Sequence, residues 1–233
     1  MLLGSVGVSA SADFKSGIDA LEQGDYKTAL KILNPLAEQG DAEAQYELGK
    51  MYLRGDSSKR DYKKSVKWFR LAVEQGHVFA AYDLGIILEG SMYDGKFVIQ
   101  DFKEAIRLYQ FCIERGYVPA LVNLARMYSL GKGVPKNHET SLKLYRTAAE
   151  SGFSDASFNL GAKYVNGTGV ARDYVLALMW MNIASRQNRY SSDRVYEKTK
   201  KAKEQLIGVM SPSDISAAQK LTRKCVRKKY KGC

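Results

Sequence analysis

The sequence has few of the residues, and none of the short motifs, on which enzymes and metalloproteins usually depend. It contains two histidines and three cysteines, and no two cysteines are spaced as Cys-x-x-Cys. The histidines, His77 and His138, belong to different copies of the repeat described below, which argues against a shared metal site. No nucleophile elbow, phosphate-binding loop or dinucleotide fingerprint is present. We therefore predict no catalytic residue, no metal ligand and no cofactor, and we expect that the protein is not an enzyme.

Long apolar runs are also missing, and acidic residues are scarce near the C-terminus. No apolar run approaches the roughly 18 residues that span a bilayer. Residues 186–233 carry 14 Lys or Arg against 4 Asp or Glu, a surplus of +10 out of a net charge of +11. Such a basic region is suited to an acidic protein or an anionic envelope surface. The alternative is an ordinary solvated helix surface, and nucleic acid is disfavoured because aromatic residues are sparse there.

One sequence pattern occurs four times along the chain. In its first copy, Ala44, Leu48 and Tyr52 form one stripe of a helix. Gly49 lies beside that stripe, where a side chain would hold the partner helix away. A second helix follows and ends at Gly76, a residue type that stops helices. The apolar stripe of this helix consists of Ser65, Trp68 and Ala72. The residues that close successive copies lie at positions 40, 76, 116, 152 and 188. A period in this range predicts helical hairpins that stack on one another, because a single hairpin cannot bury both of its faces.

An acidic or amide residue stands fifteen positions before each of these closing residues. Such a side chain at that place predicts the N-terminal cap of the second helix in each hairpin. The five residues are Asp25, Asp61, Asp101, Asn137 and Asp173. The same alignment places Cys112 in a slot that other copies fill with alanine, so we expect it to be buried. His138, three residues before Ser141, occupies a slot that other copies fill with an aromatic residue. This position favours a packing role over a catalytic one.

The repeated pattern resembles that of the Sel-like repeat (SLR) family, whose members are relatives of the tetratricopeptide repeat. Its loop signature stands at Gly131-Lys132-Gly133-Val134 and at Gly167-Thr168-Gly169-Val170. The first loop, Gly55-Asp56-Ser57, lacks the second glycine, and the second copy carries four extra residues around Ser91 to Val98. The resemblance implies an all-α, α/α superhelical solenoid of about five repeats that serves as a protein-binding adaptor in the bacterial envelope. Claims attached to some members also leave a remote alternative, a hydrolase of cell-wall or β-lactam compounds.

The repeat divides the chain into a leader, a solenoid and a cap. Residues 1–12 end in Ala10-Ser11-Ala12 and indicate the remnant of a signal peptide. They therefore predict a periplasmic or secreted protein; the alternative is a disordered N-terminus on a cytoplasmic one. Residues 13–40 form a degenerate repeat whose first helix begins at Phe14, and residues 190–233 form a basic two-helix cap. The four regular repeats are 41–76, 77–116, 117–152 and 153–189.

The cap is predicted to hold one helix over 192–209 and another over 212–227, capped by Ser211. Val209 belongs to the apolar stripe of the first of these helices. Cys225 and Cys233 flank the basic end, and in an exported chain we expect them to form a disulfide. The alternative is two free thiols in a cytosolic protein.

Binding is expected on the first helices of the hairpins, which usually line the concave face of such a solenoid. Each copy has a leucine at the same place in its first helix. The residues two positions before and two positions after this leucine should face the concave surface and contact a protein or peptide. The alternative is that its aromatic residues only pack between repeats. The eight residues are Tyr46, Lys50, Tyr82, Ile86, Val122, Arg126, Phe158 and Ala162.

Overall fold

A computed structural model describes residues 6–55, 60–90, 100–187 and 193–233. All regular secondary structure in these ranges is helical, which confirms the predicted all-α class of stacked hairpins. The predictions for Asp56, Ser57, Ser91 to Val98 and the residue that closes the fourth copy lie outside the described residues. The helices are α1 Val6–Glu22, α2 Tyr26–Glu38, α3 Ala42–Arg54, α4 Tyr62–Glu74, α5 Val78–Glu89, α6 Phe102–Glu114, α7 Pro119–Leu130, α8 His138–Glu150, α9 Ser154–Asn166, α10 Tyr174–Ala184, α11 Asp193–Ile207 and α12 Pro212–Arg227.

The helices belong to two compact units, residues 1–115 and residues 116–233. In the first unit, α1 packs on α2, α3 on α4 and α5 on α6, and neighbouring hairpins meet through α2 with α3 and α4 with α5. In the second unit, α7 packs on α8 and α9 on α10, and α8 meets α9. Helices α11 and α12 both pack on α10, so they cover the last hairpin of that unit.

The five predicted caps are confirmed. Each acidic or amide side chain accepts a hydrogen bond from the backbone N–H three residues later, for example Asp61 from Lys64 at 3.0 Å and Asp173 from Leu176 at 2.8 Å. These bonds satisfy donors that the first turn of a helix would otherwise leave without a partner. A side chain that is local in sequence therefore fixes where each second helix begins.

Glycine in a first helix allows the second helix of the same hairpin to approach closely. A Cβ atom placed on Gly49 would lie 2.5 Å from the ring of Phe69, and one on Gly85 would lie 2.8 Å from that of Tyr109. In the fourth copy, Gly161 gives the same clearance to Met181. The predicted role of this glycine is confirmed.

The predicted apolar stripe of α4 needs one correction. Ser65 and Ala72 are fully buried as expected, but Phe69 fills the core, whereas Trp68 is only half-buried. The space opposite Gly49 accepts the ring at position 69 and turns position 68 toward the margin of the core. Ser65 completes the contact because its hydroxyl donates a hydrogen bond of 2.8 Å to the carbonyl oxygen of Gly49.

Of the helices near the two ends of the chain, α1 and α11 differ from their predicted ranges, whereas α12 agrees. α1 begins at Val6, well before the expected start at Phe14, so residues 6–12 are helical. α11 ends at Ile207, because the chain turns at Gly208, and the predicted burial of Val209 is wrong, since its side chain is 70% exposed. α12 has the predicted bounds, and Ser211 caps it by accepting from the N–H of Asp214.

The C-terminal end is tied to α12. A disulfide joins Cys225, at the end of that helix, to Cys233, with the Cα atoms 5.5 Å apart. Inside the loop, the N–H of Tyr230 donates to the carbonyl oxygen of Cys225, and the N–H of Gly232 donates to a carboxylate oxygen of Glu150. The predicted burial of Cys112 is confirmed, since its side chain has no exposed surface.

Replacement of Gly49 by alanine tests the close approach of the helices. We expect G49A to lower the free energy of unfolding by about 2 kcal/mol, because the added methyl group must displace the fully buried ring of Phe69. Urea unfolding followed by circular dichroism measures the change. Gly208→Ala is the matched control, since a Cβ there would meet no atom closer than 3.5 Å. Equal stability of G49A and G208A would contradict this account.

Replacement of Cys233 by serine tests the contribution of the disulfide. The bond closes a short loop with a sequence separation of 8 residues. Loss of this cross-link should lower the free energy of unfolding by about 2–3 kcal/mol on the chain-entropy model. Reductant should destabilise the wild-type protein to the same extent and leave C233S unchanged. A reduced wild-type protein as stable as the oxidised one would show that the loop stabilises nothing.

Candidate binding face

In the first unit, the predicted binding residues Tyr46, Lys50, Tyr82 and Ile86 are all half-buried on α3 and α5. The structure brings the first two together, because the ammonium group of Lys50 lies 5.0 Å from the centre of the Tyr46 ring. Lys50 also forms an ion pair of 2.7 Å with Glu47 on the same helix. The ring of Tyr82 lies 6.1 Å from that of the buried Tyr109, which supports a packing role for Tyr82.

Three residues that the sequence analysis did not predict to bind a partner complete a cluster around Tyr46. His77 and Phe79 come from the start of the next repeat, with ring centres 4.5 Å and 6.3 Å from that of Tyr46. The Tyr46 hydroxyl donates a hydrogen bond of 3.2 Å to the carboxylate of Asp83. We call Tyr46, Lys50, His77, Phe79 and Asp83 the Tyr46 cluster.

Phe79 is the most accessible member of this cluster, with 52% of its surface exposed. The equivalent positions of the other copies hold Glu43, Pro119 and Asp155, none of them aromatic. An aromatic ring at a position that is otherwise not aromatic was therefore a signal available in the sequence. Exposed aromatic rings beside charged groups are common anchors of protein interfaces.

His77 lies between the first and second regular repeats and forms hydrogen bonds to both. Its Nδ1 atom accepts a hydrogen bond of 3.0 Å from the N–H of Ala80 and so caps α5. Its Nε2 atom lies 3.2 Å from a carboxylate oxygen of Glu43 and donates to it in this tautomer. The imidazole ring is therefore fixed in orientation beneath Phe79 and Tyr46.

Asp83 is the residue of the cluster whose carboxyl pKa is shifted. Burial raises the pKa of its carboxyl group above the ordinary value of aspartate. The hydrogen bond from Tyr46 and the nearby charges of Lys50 and Arg54 act in the opposite direction but do not offset burial. The face thus offers a partly desolvated acceptor close to basic groups.

A groove of about 430 Å³ adjoins the cluster in the first unit. It is lined by residues of α1, α2 and α3, among them Leu21, Tyr26, Glu47 and Arg54. Lys50 lines this groove as well and so connects it to the Tyr46 cluster. An extended peptide could contact both features with one basic side chain between them.

In the second unit, the predicted residues Val122, Arg126, Phe158 and Ala162 are also half-buried. Phe158 and Ala162 line one apolar groove of about 320 Å³, together with Leu206 on α11 and Val209 just after that helix. Part of the first-helix face of the last repeat is therefore bordered by α11 and the turn after it. The binding role of all eight residues remains a prediction.

His138 and Ser141 do not form a nucleophile–base pair in the structure. Within the described residues, His138 Nδ1 and Ser141 Oγ are buried and have no hydrogen-bond partner. The loop glycine Gly169 packs directly on the side chain of His138. Burial, and then the charges of Lys163 and Lys136, lower the pKa of His138. In the described ranges, no group of three or more potential ligands is placed to hold a metal ion.

Helical hairpins with glycine in the first helix and a capped second helix define an α/α repeat scaffold. The Sel1 repeat model matches residues 42–77, 78–117, 118–153 and 154–188. The chain therefore belongs to the Sel1 repeat family. None of the helices in the part of the chain that the structure describes has the length and apolar character needed to cross a membrane.

Solved structures of similar proteins agree with this assignment. One is c5321, a protective antigen of uropathogenic Escherichia coli with an SLR fold: 26% identity over 95% of this chain and 47% of that one, with a TM-score of 0.76. Another is a Sel1 repeat protein from Oxalobacter formigenes: 28% identity over 76% of this chain and 51% of that one, with a TM-score of 0.63. This chain thus spans about half the length of each. No curated protein sequence matches significantly.

Replacement of Asp83 by asparagine should raise the free energy of unfolding at neutral pH, because burial disfavours the charged form of this group. A carboxyl group whose pKa is raised by folding contributes stability at acid pH and loses it as the pH rises through the folded-state pKa. The advantage of D83N should therefore grow as the pH rises above about 4, the ordinary pKa of aspartate.

Urea unfolding at acid and neutral pH measures this difference. Asp19→Asn is the control, since Asp19 is exposed on α1 and the substitution removes the same charge. A D83N variant that is less stable than the wild type at neutral pH would contradict the prediction. So would an advantage that does not change with pH.

Proposed function

We propose that the protein is a non-enzymatic adaptor that binds a protein or peptide through the first-helix faces of its repeats. The observation that supports this most strongly is the Tyr46 cluster. It presents Phe79, half of whose surface is exposed, above the fixed rings of Tyr46 and His77. Lys50 and Asp83 flank these rings and offer a cation and a hydrogen-bond acceptor.

The chemistry of this cluster favours a particular kind of ligand. An apolar side chain would pack on Phe79, since burial of apolar surface stabilises by about 25 cal/mol per Å². An acidic group would lie near Lys50 and Arg54, and a donor would reach the carboxylate of Asp83. The rings are held by His77 before a ligand arrives, which reduces the entropy lost on binding.

Phe158 and Ala162 offer an apolar contact region in the second unit. They line a groove with Leu206 and Val209, and Val209 is largely exposed. Val122 and Arg126, half-buried on α7, are proposed to contribute to the same function.

We further propose that the protein acts outside the cytoplasm, in the periplasm or secreted. The disulfide between Cys225 and Cys233 supports this, because such bonds persist in oxidising compartments. The small, apolar residues up to Ala12 support it as well, since they resemble the end of a signal peptide.

A second candidate is binding of an acidic partner or an anionic envelope surface through the cap. Residues 193–233 carry 12 Lys or Arg against 4 Asp or Glu. Many of these basic side chains are exposed, among them Lys200, Lys201, Lys228 and Lys229. Neutralising these four residues with glutamine would remove capture if the cap carries it, and would leave capture intact if the Tyr46 cluster does.

Replacement of Phe79 by alanine tests the main proposal. Peptides selected from a randomised display library against the full chain should combine an apolar and an acidic residue. F79A should weaken their binding by about tenfold or more, a loss typical of an aromatic anchor. Titration by fluorescence anisotropy measures the dissociation constants.

Leu130→Ala is the matched control, since Leu130 is 57% exposed but lies on α7, in the other unit. L130A should bind the selected peptides as the wild type does. Peptides that bind F79A and the wild type equally would refute a role for the Tyr46 cluster. Failure to select any peptide would count against the proposed function itself.

A further inference from the structure

A second groove lies between α10, α11 and α12 in the second unit, with a volume of about 320 Å³. Its apolar lining comes from one residue of each helix, Leu178, Ile207 and Ile215. Leu178 is buried, whereas Ile207 is 43% exposed, so apolar surface extends from the floor of the groove to its opening. A volume of this size is at the lower end of the range for ligand pockets and suits one or two amino-acid residues.

Two arginines line the same groove. Arg186 follows α10 and Arg223 lies on α12, and both are exposed. Neither guanidinium group has a hydrogen bond or an ion pair with any residue that the structure describes. An unpaired guanidinium group retains all five of its donors for a ligand.

The charged residues described in the lining of this groove are both basic. Among the described residues that line the groove, none is acidic. Burial, and then the charge of Arg186, lower the pKa of the nearby Lys203. The ammonium group of Lys203 donates to the hydroxyl of Ser185 at 3.3 Å, which supplies no negative charge. An anion in this groove would therefore meet two guanidinium groups and no acidic residue of the described lining.

The other lining residues that the structure describes are uncharged, and two of them are held by hydrogen bonds. The amide of Asn182 donates to the hydroxyl of Thr222 at 3.5 Å, and that hydroxyl donates to the carbonyl oxygen of Ala218 at 2.8 Å. Gln219 lies exposed beside them on α12. Because α12 carries Thr222 and Arg223 in succession, the position of the arginine is set by a helix rather than by a loop.

We propose that this groove binds the C-terminal residue of a protein partner, with an aliphatic side chain on its apolar floor and the free carboxylate between Arg186 and Arg223. Guanidinium groups bind carboxylates through paired, charge-assisted hydrogen bonds. The apolar floor distinguishes such a ligand from an inorganic anion. This site is separate from the Tyr46 cluster, so it holds or fails independently of that proposal.

A C-terminal residue fits better than an internal acidic residue. In a terminal leucine, the carboxylate and the side chain are attached to the same Cα atom, so both can enter one small groove. In an extended internal segment, an acidic side chain and its aliphatic neighbour point to opposite sides of the backbone. Such a segment would place only one of the two groups in the groove.

Methyl-detected NMR titration of the full chain tests the proposal. The probes are acetyl-Gly-Gly-Leu with a free carboxylate, the same peptide with a C-terminal amide, and acetyl-Gly-Glu-Leu-Gly-amide. The free acid should shift the methyl signals of Ile207, Ile215 and Thr222 and should saturate them by about 10 mM. The amide should bind about tenfold more weakly, because it lacks the charge that the arginines recognise.

Arginine variants complete the test. R186Q and R223Q should each weaken binding of the free acid by about fivefold or more. R227Q is the matched control, since Arg227 is exposed on the same helix, carries the same charge and lies outside the groove. R227Q should bind the free acid as the wild type does, and F79A should leave this binding unchanged.

Several outcomes would overturn the proposal. Equal binding of the acid and the amide, or of the acid to R223Q and wild type, would remove the role of the arginines. Tighter binding of the internal glutamate peptide would identify an acidic side chain as the occupant instead. Shifts confined to other methyl groups, or the absence of any shift at about 10 mM, would show that the groove is not a binding site for this class of ligand.

Discussion

The close approach of two helices at a residue without a side chain is the contact on which three of the four regular hairpins depend. Gly49, Gly85 and Gly161 leave room for a large side chain of the following helix, which is then sealed from water. The third copy has Ala125 in this place, and its Ser141 has no bond like that of Ser65 to the helix opposite. Stacking then buries the outer faces of neighbouring hairpins, since a lone hairpin would leave one of them in water.

The same packing explains where binding groups can be carried. Second helices supply the rings and small residues that fill the core, and their starts are fixed by side-chain caps. First helices keep part of their surface in water, so they can carry partly exposed residues such as Tyr46 and Phe158 at no cost to the core. The two C-terminal helices differ from the repeats in charge, because α12 presents arginines and lysines beside apolar residues.

Features that depend on nearby residues could be predicted from the sequence. The period, the five caps and both ends of α12 follow from residue types at fixed spacing. Contacts between repeats could not be predicted in this way. His77 and Phe79 meet Tyr46 across more than thirty positions of sequence, and periodicity does not show which side chains of adjacent hairpins face one another. The core role of Phe69 rather than Trp68 was missed because it depends on the space opposite Gly49. The apolar groove beside Phe158 was missed because it depends on the docking of α11.

The burial of Cys112 has a consequence for how the chain is oxidised. Its thiol is enclosed in α6, and burial raises its pKa to about 12, so it carries almost no thiolate once that helix has packed. Thiol–disulfide exchange proceeds through the thiolate. If folding precedes oxidation, Cys225 and Cys233 are the sole reactive pair and one product results. If oxidation comes first, three sulfurs compete, and two of the three pairings must be undone by an isomerase or a small thiol. The order of folding and oxidation therefore decides whether formation of the disulfide between Cys225 and Cys233 requires an isomerase or a small thiol.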